Sequence, residues 1–119
     1  MSPVTMSPVT IYHNPRCSKS RQTLALLRER NVEPEIIEYL KNPPSENELK
    51  SIARKLGIPP AEMIRKNEAR DLDFLETEDS AQWILRMARN PQIIERPIVV
   101  CGERARIGRP PENVLELLS

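Results

Sequence analysis

Residues 9–39, VTIYHNPRCSKSRQTLALLRERNVEPEIIEY, decide the fold of this chain. They open with a β-branched and aromatic run at 9–13, which predicts a strand. Residues 18–30 are rich in leucine and contain neither glycine nor proline, which predicts a helix. A second strand is predicted over 35–39. Two strands joined by a helix form a βαβ unit, in which the strands are parallel and the crossover is right-handed.

The middle of the chain predicts further helices. Ser45 and Glu48 fit a capping box, and the apolar spacing that follows runs as far as Gly57. Residues 60–65 are expected to add one or two turns. Residues 68–79 carry six acidic side chains, so this segment is expected to be an exposed connection with little core.

The last third predicts one more helix, a hairpin and a closing helix. Ser80 is placed to cap a helix that ends at Asn90. Strands over 98–100 and 105–107 are joined by a turn, and residues 110–118 predict the final helix. Helices flanking a mixed sheet of about four strands are the compact solution for this order. The α/β class is therefore expected, and the thioredoxin-like arrangement fits it.

The length and net charge of the chain limit the number of domains and the kinds of binding partner. The chain has 119 residues and a formal net charge of +1, so one domain over 7–119 is expected, without broad binding to nucleic acid or membrane surfaces. The pentapeptide MSPVT occurs twice in succession at the N-terminus. We interpret residues 1–6 as a disordered extension, an alternative start site or a cloning remnant.

The numbers of cysteine and histidine residues bear on metal binding and on the cellular location of the protein. Two cysteines and one histidine are too few for a zinc site or for a secreted disulfide framework. The N-terminus lacks a signal-peptide pattern, and no apolar run approaches the roughly 20 residues of a membrane span. A reduced, cytoplasmic location without a metal is expected.

Cys17 is the residue best placed for chemistry. It lies in a polar loop just before the first predicted helix, where unpaired amide groups and the helix dipole favour a thiolate. Arg16, Lys19 and Arg21 add positive charge nearby. We therefore expect the pKa of Cys17 to lie below that of a free thiol. A buried apolar cysteine is the alternative, which so polar a loop disfavours.

His13 and Arg21 lie four residues before and four residues after Cys17. The histidine could exchange a proton with the sulfur site, and the arginine shares a helix face with the cysteine. Purely structural roles stay open for both. Ser20 stands where a dithiol redox motif has its second cysteine, so no internal C-x-x-C disulfide can form. The spacing also lacks the C-x5-R pattern of phosphatase loops.

Four motifs lie along the chain from residue 10 to residue 118. They are His13-Asn14-Pro15-Arg16-Cys17, Arg65-Lys66-Asn67, Glu95-Arg96-Pro97-Ile98-Val99-Val100 and Gly108-Arg109-Pro110. In content and order they resemble the glutaredoxin-coupled arsenate reductase family.

The resemblance implies an activity and its co-substrates. Cys17 would attack arsenate to form a thiol-arsenate adduct, which glutathione and glutaredoxin would resolve with release of arsenite. Glutathione would act as a co-substrate, and no cofactor would be tightly bound. The implied fold is thioredoxin-like, with a helical insertion between strands 2 and 3 and a cis peptide bond between Arg96 and Pro97.

The resemblance also implies roles for individual side chains. Cys17 is the implied nucleophile, and His13 and Arg21 complete its His-x3-Cys-x3-Arg signature. Guanidinium groups would offset the repulsion between a thiolate and an anionic substrate. The oxyanion ligands so implied are Arg65, Arg96 and Arg109.

Two other functions stay open. A glutathione-dependent thiol transferase would use Cys17 without arsenate, whereas a regulatory module would bind RNA polymerase as related proteins do. The three arginines favour the reductase. Ser20 argues against the regulatory module, because such modules carry a C-x-x-C switch. Cys101 is expected to be a buried thiol and not a disulfide partner of Cys17.

Overall fold

A computed structural model describes residues 8–118 of the chain. The extension predicted at residues 1–6 lies outside the described residues. The strands are β1 (Val9–His13), β2 (Glu35–Glu38), β3 (Ile98–Cys101) and β4 (Arg104–Ile107). The α-helices are α1 (Ser18–Glu29), α2 (Glu46–Leu56), α3 (Lys66–Asp71) and α4 (Ser80–Arg89). Short 3-10 helices lie at Pro60–Met63, Pro91–Ile93 and Pro111–Leu118.

The four strands form one mixed sheet in the order β2-β1-β3-β4. β1 and β2 are parallel, with Ile11 opposite Ile36, and β3 is antiparallel to both β1 and β4. The carboxyl ends of β1, β2 and β4 and the amino end of β3 therefore meet at one edge, termed the upper edge below. The predicted thioredoxin-like sheet and the helical insertion between β2 and β3 are confirmed.

Two apolar clusters pack against opposite faces of the sheet. Alternation along β3 separates them, because Ile98 joins the cluster under α2 and α4 whereas Val99 joins the cluster under α1 and the C-terminal 3-10 helix. Leu49 and Met87 are fully buried in the first cluster, and Leu27 is fully buried in the second. The insertion thus covers one face of the sheet and α1 covers the other.

Helix α2 begins and ends where the sequence predicts. The Glu48 N–H donates to Ser45 Oγ at 3.1 Å, and the Ser45 N–H donates to Glu48 Oε1 at 3.2 Å, which completes the capping box. Gly57 follows the helix with φ of 71°, a left-handed conformation that glycine adopts without Cβ strain.

The expectation of an exposed connection over residues 68–79 is wrong in its first part. The chain forms α3 there, and Ala69 is only 3% exposed within the core. The prediction was based on the acidic side chains of this segment, and these are indeed exposed or only partly buried. A single small apolar residue facing inward is enough to dock so short a helix against the core.

Two helix predictions also differ in detail. Asp79, not Ser80, caps α4, because its Oδ1 accepts hydrogen bonds from the N–H groups of the first helical turn. The final helix is a 3-10 helix and not an α-helix. Its buried residues include Val114 and Leu117, three positions apart, which is the repeat that places side chains on one side of a 3-10 helix.

Within residues 8–118, no helix has the length and hydrophobicity that crossing a membrane requires. The same residues contain no group of three or more histidine, cysteine, aspartate or glutamate side chains arranged to hold a metal ion.

Candidate active site

The upper edge of the sheet collects most of the residues that the sequence singles out. The loop after β1 carries Cys17, Arg96 precedes β3 by two positions, and Arg109 follows β4 by two positions. In α/β sheets, ligands bind outside the carboxyl ends of the strands. The topology therefore brings Cys17 and two cations together at the place where this fold class binds its ligands.

Both of these arginines precede a cis proline. The Arg96–Pro97 peptide bond is cis, as predicted from the resemblance. The Arg109–Pro110 bond is cis as well, which the sequence analysis did not predict.

Cys17 is the N-cap residue of α1. Its backbone is extended, with φ of −90° and ψ of 123°, and its N–H donates to the Asn14 carbonyl at 3.0 Å. Asn14 Oδ1 accepts a hydrogen bond from the Arg16 N–H at 3.0 Å, which braces the same turn. An N-cap side chain faces the first free amide groups of its helix. The sulfur thus lies near these amide groups without forming a side-chain cap hydrogen bond.

The surroundings of Cys17 lower its pKa. Partial burial is the largest single effect and acts to raise the pKa. It is outweighed by the backbone N–H groups of Ser20 and Lys19 and by the charges of Arg96 and Arg109. The predicted depression of the pKa is confirmed, because the combined effect places it below the ordinary value of a thiol.

The source of the positive charge differs from the expectation. The sequence pointed to Arg16, Lys19 and Arg21 as neighbours along the chain. The side-chain charges that lower the pKa of Cys17 are instead those of Arg96 and Arg109, which the fold brings from the β3–β4 hairpin.

Arg109 makes a direct contact with Cys17. Its Nη2 lies 3.8 Å from Cys17 Sγ, and its Nε donates to the Arg96 carbonyl at 2.8 Å. Glu95 Oε1 lies 3.1 Å from Arg109 Nε and 3.6 Å from Arg96 Nη1. Glu95 therefore holds the two guanidinium groups side by side. Arg96 Nε is buried and has no hydrogen-bond partner.

Gly108 allows the hairpin to pass close to α1. A Cβ atom on Gly108 would lie 2.5 Å from Thr23 Oγ1 and 2.8 Å from Pro97 Cγ, distances too short for any other residue without rearrangement. The Gly108 N–H donates to the Pro97 carbonyl at 2.9 Å. This close approach sets the position from which Arg109 reaches the sulfur.

Arg65 comes from the insertion. An isolated antiparallel bridge between Ile64 and Ile94 places Arg65 beside the segment that leads to Arg96. Its guanidinium is paired with Glu68 on α3. Arg65 is not among the groups that lower the pKa of Cys17. Its role as an oxyanion ligand stays a prediction.

His13 lies beneath the loop and contacts Ser20. Its Nδ1 is 2.6 Å from Ser20 Oγ, which also accepts a hydrogen bond from the Asn14 N–H at 3.0 Å. Burial, partly opposed by Glu38, lowers the pKa of His13, so the ring is neutral at neutral pH. His13 is linked to Cys17 through Ser20, whose backbone N–H acts on the sulfur. Proton exchange between His13 and Cys17 stays a prediction.

Arg21 lies on the exposed side of α1. Its Nη1 donates to the Pro15 carbonyl at 2.9 Å, which ties the first turn of the helix to the cysteine loop. The structure thus assigns Arg21 a position that supports the loop, while its part in catalysis stays a prediction.

Cys101 lies at the opposite edge of the sheet. It pairs with Val9 at the start of β1, whereas Cys17 follows the end of that strand. The length of β1 alone, at about 3.3 Å per residue, exceeds the Cα separation of about 7 Å that a disulfide allows. Cys17 and Cys101 are therefore not joined by a disulfide, and Cys101 is only partly buried, which corrects the expectation of a buried thiol.

Two residues at the site were not predicted. Strand β2 ends at Glu38, one residue earlier than expected, so Tyr39 follows it at the upper edge. Its place after a strand parallel to β1 is a signal that could have identified it. Glu95 stands in one of the four motifs, but its role depends on a contact with Arg109 across the hairpin, which the sequence does not show.

The arrangement places a thiol of lowered pKa beside two guanidinium groups. A thiolate attacks electrophilic centres, and a guanidinium fork binds carboxylates and tetrahedral oxyanions. Positive charge at the site reduces the repulsion between the thiolate and an anionic substrate.

Fold and site together define a thioredoxin-like protein in which a cysteine of lowered pKa lies beside two arginines. The ArsC family model matches residues 12–117. An arsenate reductase of Haemophilus influenzae is 48% identical over 115 residues, covering 92% of this chain and 98% of that protein. The uncharacterised protein YfgD of Escherichia coli K12 is 46% identical over 114 residues, covering 92% of this chain and 96% of its own length. The structure of an arsenate reductase from Vibrio cholerae is 45% identical with a TM-score of 0.83, covering 95% of this chain and 99% of that one. The chain belongs to the ArsC family.

Proposed function

We propose that this protein reduces arsenate to arsenite, with Cys17 as the nucleophile and with glutathione and glutaredoxin as electron donors. Arg96 and Arg109 hold the oxyanion beside the sulfur, and Arg65 adds a third ligand when it leaves Glu68. Relatives named arsenate reductases in Haemophilus influenzae and Vibrio cholerae support this substrate.

The observation that carries the proposal is the contact of 3.8 Å between Arg109 Nη2 and Cys17 Sγ. An arginine directed at a thiolate leaves part of its fork free for an anion that the thiolate attacks. Arg96 adds a second charge and a buried Nε with no partner. The site is therefore suited to bind a small anion and attack it, which a thiol transferase acting on disulfides does not need.

The choice of electron donors follows from Ser20. Reduction of arsenate takes two electrons, which two thiols supply by forming a disulfide. Ser20 occupies the position of a resolving cysteine, and Cys101 is at the opposite edge of the sheet. Both reducing thiols therefore come from outside the chain in this proposal.

The proposed chemistry balances in atoms and electrons. The Cys17 sulfur displaces one arsenate oxygen, and glutathione displaces a second, each oxygen leaving as water without change of oxidation state. A glutaredoxin thiolate then attacks the glutathione sulfur. The electron pair of the arsenic–glutathione bond stays on arsenic, which becomes As(III), while a glutaredoxin–glutathione disulfide forms. Water then releases arsenite and restores the Cys17 thiol.

The test is arsenate-dependent oxidation of NADPH by the purified protein with glutathione, glutaredoxin and glutathione reductase. Cys17→Ser is expected to abolish turnover, because a hydroxyl at this position is not ionised at neutral pH. Cys101→Ser is the matched control and is expected to retain turnover.

Three results would contradict parts of the proposal. Turnover that survives Cys17→Ser, or is lost in Cys101→Ser, overturns the nucleophile assignment. Turnover with glutathione alone overturns the role of glutaredoxin. An unmodified protein that ignores arsenate but exchanges thiols with glutathione-linked disulfides favours the thiol transferase.

A further inference from the structure

Tyr39 is the buried tyrosine at the upper edge of the sheet. Its ring belongs to the core cluster beneath α2 and α4, and the residue is 1% exposed. Its hydroxyl forms no hydrogen bond within the described residues. The Asn14 side chain lies near enough to the hydroxyl to lower its pKa. A buried hydroxyl without a partner destabilises the folded protein, so its position here calls for a physical reason.

The hydroxyl of Tyr39 lies near the candidate active site. The charged groups that act on it are those of Arg96, Arg65 and Cys17. Topology explains this placement, because β2 runs parallel to β1 and ends beside it, with Glu38 opposite His13. Tyr39 therefore follows β2 at the same level at which the cysteine loop follows β1.

A second buried polar atom without a partner lies in the same region. Arg96 Nε has no acceptor, and the charge of Arg96 acts on both the Cys17 sulfur and the Tyr39 hydroxyl. Among the described residues, these two atoms are the buried side-chain polar atoms that lack a partner. Both can donate a hydrogen bond, and the guanidinium nitrogen can only donate. An acceptor placed between them would satisfy both.

We propose that Tyr39 is a further substrate-binding residue, whose hydroxyl donates a hydrogen bond to the tetrahedral oxyanion held beside Cys17. The inference rests on the proposed function in one respect, namely that an oxyanion is the ligand of this site. Burial raises the pKa of Tyr39, so the hydroxyl keeps its proton and remains a donor at neutral pH. With Arg96 and Arg109, it would contact the anion from the β2 side of the site.

The test is Tyr39→Phe, which removes the hydroxyl and keeps the ring in the core. The readout is protection of Cys17 from iodoacetamide by increasing concentrations of inorganic phosphate or arsenate, with the labelled cysteine located by mass spectrometry. Phosphate reports binding without reduction, so the result does not depend on turnover. We expect protection to require about tenfold more oxyanion, the effect of losing one hydrogen bond to a charged ligand.

Two controls separate binding from structure. Tyr12→Phe makes the same change at a partly buried tyrosine whose hydroxyl is influenced by Glu48 and Glu35 instead of the site, and it is expected to leave protection unchanged. Urea unfolding of Tyr39→Phe is expected to show equal or higher stability, because the variant loses a buried group without a partner. A hydroxyl with a purely structural role would give lower stability and unchanged protection.

The remaining outcomes overturn the proposal in distinguishable ways. Equal protection of the unmodified protein and Tyr39→Phe overturns the role of Tyr39 and leaves the proposed function standing. Failure of both oxyanions to protect the unmodified protein overturns both. A changed alkylation rate of Tyr39→Phe without any oxyanion shows that the hydroxyl acts on the thiolate and not on the substrate.

Discussion

The β3–β4 hairpin and the helical insertion both deliver arginines toward the upper edge of the sheet, but only the hairpin brings them to the sulfur. Arg109 is held by the Arg96 carbonyl and by Glu95, and its Nη2 contacts Cys17 Sγ. Arg65 of the insertion is positioned by one isolated bridge and is paired with Glu68. Arg109 and Arg65, both predicted to bind the oxyanion, are therefore paired with different groups.

The hairpin and the insertion also differ in how firmly they hold their arginines. Strand pairing fixes the hairpin, so the charges of Arg96 and Arg109 are in place before any substrate binds. The ion pair between Arg65 and Glu68 is partly exposed to solvent, so an incoming anion can compete for Arg65. The hairpin would then set the reactivity of Cys17, and the insertion would tune substrate affinity.

The largest expected effect comes from replacing the hairpin arginines by lysine. Arg96→Lys and Arg109→Lys keep the charge but lose the fork, so each is expected to lower kcat/KM for arsenate by about 1.5–3 kcal/mol of transition-state stabilisation. Arg65→Lys is the matched variant from the insertion and is expected to lose less. The coupled NADPH assay measures all three.

Cys17 alkylation in the same variants serves as the control and should change less than turnover, because the charge is retained. Unchanged arsenate turnover in both hairpin variants would contradict the proposed oxyanion site. A larger loss in Arg65→Lys than in Arg109→Lys would reverse the division between hairpin and insertion.

The pH dependence of Cys17 alkylation tests the same difference between hairpin and insertion. The folded protein depresses the pKa of Cys17, so the thiolate forms at a lower pH than in an ordinary thiol. Arg109→Gln removes a positive charge that contributes to this depression, so the iodoacetamide rate profile is expected to move to higher pH. Arg65→Gln should leave the profile in place. Equal displacement by both variants would show that the insertion also sets the pKa of Cys17.

The smallest expected effect concerns Glu68. Glu68→Gln removes the carboxylate that pairs with Arg65 and so frees that guanidinium for substrate. The KM for arsenate is expected to fall by about two- to threefold, in line with the modest strength of a partly exposed ion pair. Glu62→Gln, on the 3-10 helix of the same insertion, is the control. An increase in KM would mean that Glu68 positions Arg65 for binding instead of competing for it.

Local patterns predicted the first strand, the helix that follows it and the capping box of α2 because each depends on residues close together in the chain. The same local signals identified Cys17 at a helix start. They did not predict α3, because the acidic residues of that segment were given more weight than its one inward-facing alanine. They also placed the end of β2 one residue too late. Strand ends depend on pairing with a neighbour, which the local pattern does not contain.

The sequence by itself determined the βαβ unit, the position of Cys17 at a helix start and, through its motifs, the family. Tertiary structure alone decided which cations surround the sulfur, because Arg109 lies 92 positions from Cys17 and contacts it only through the sheet. It also placed the Tyr39 hydroxyl and Arg96 Nε without partners in one region. The physical reason is that charge and hydrogen bonding act across space, while the sequence specifies only neighbours along the chain.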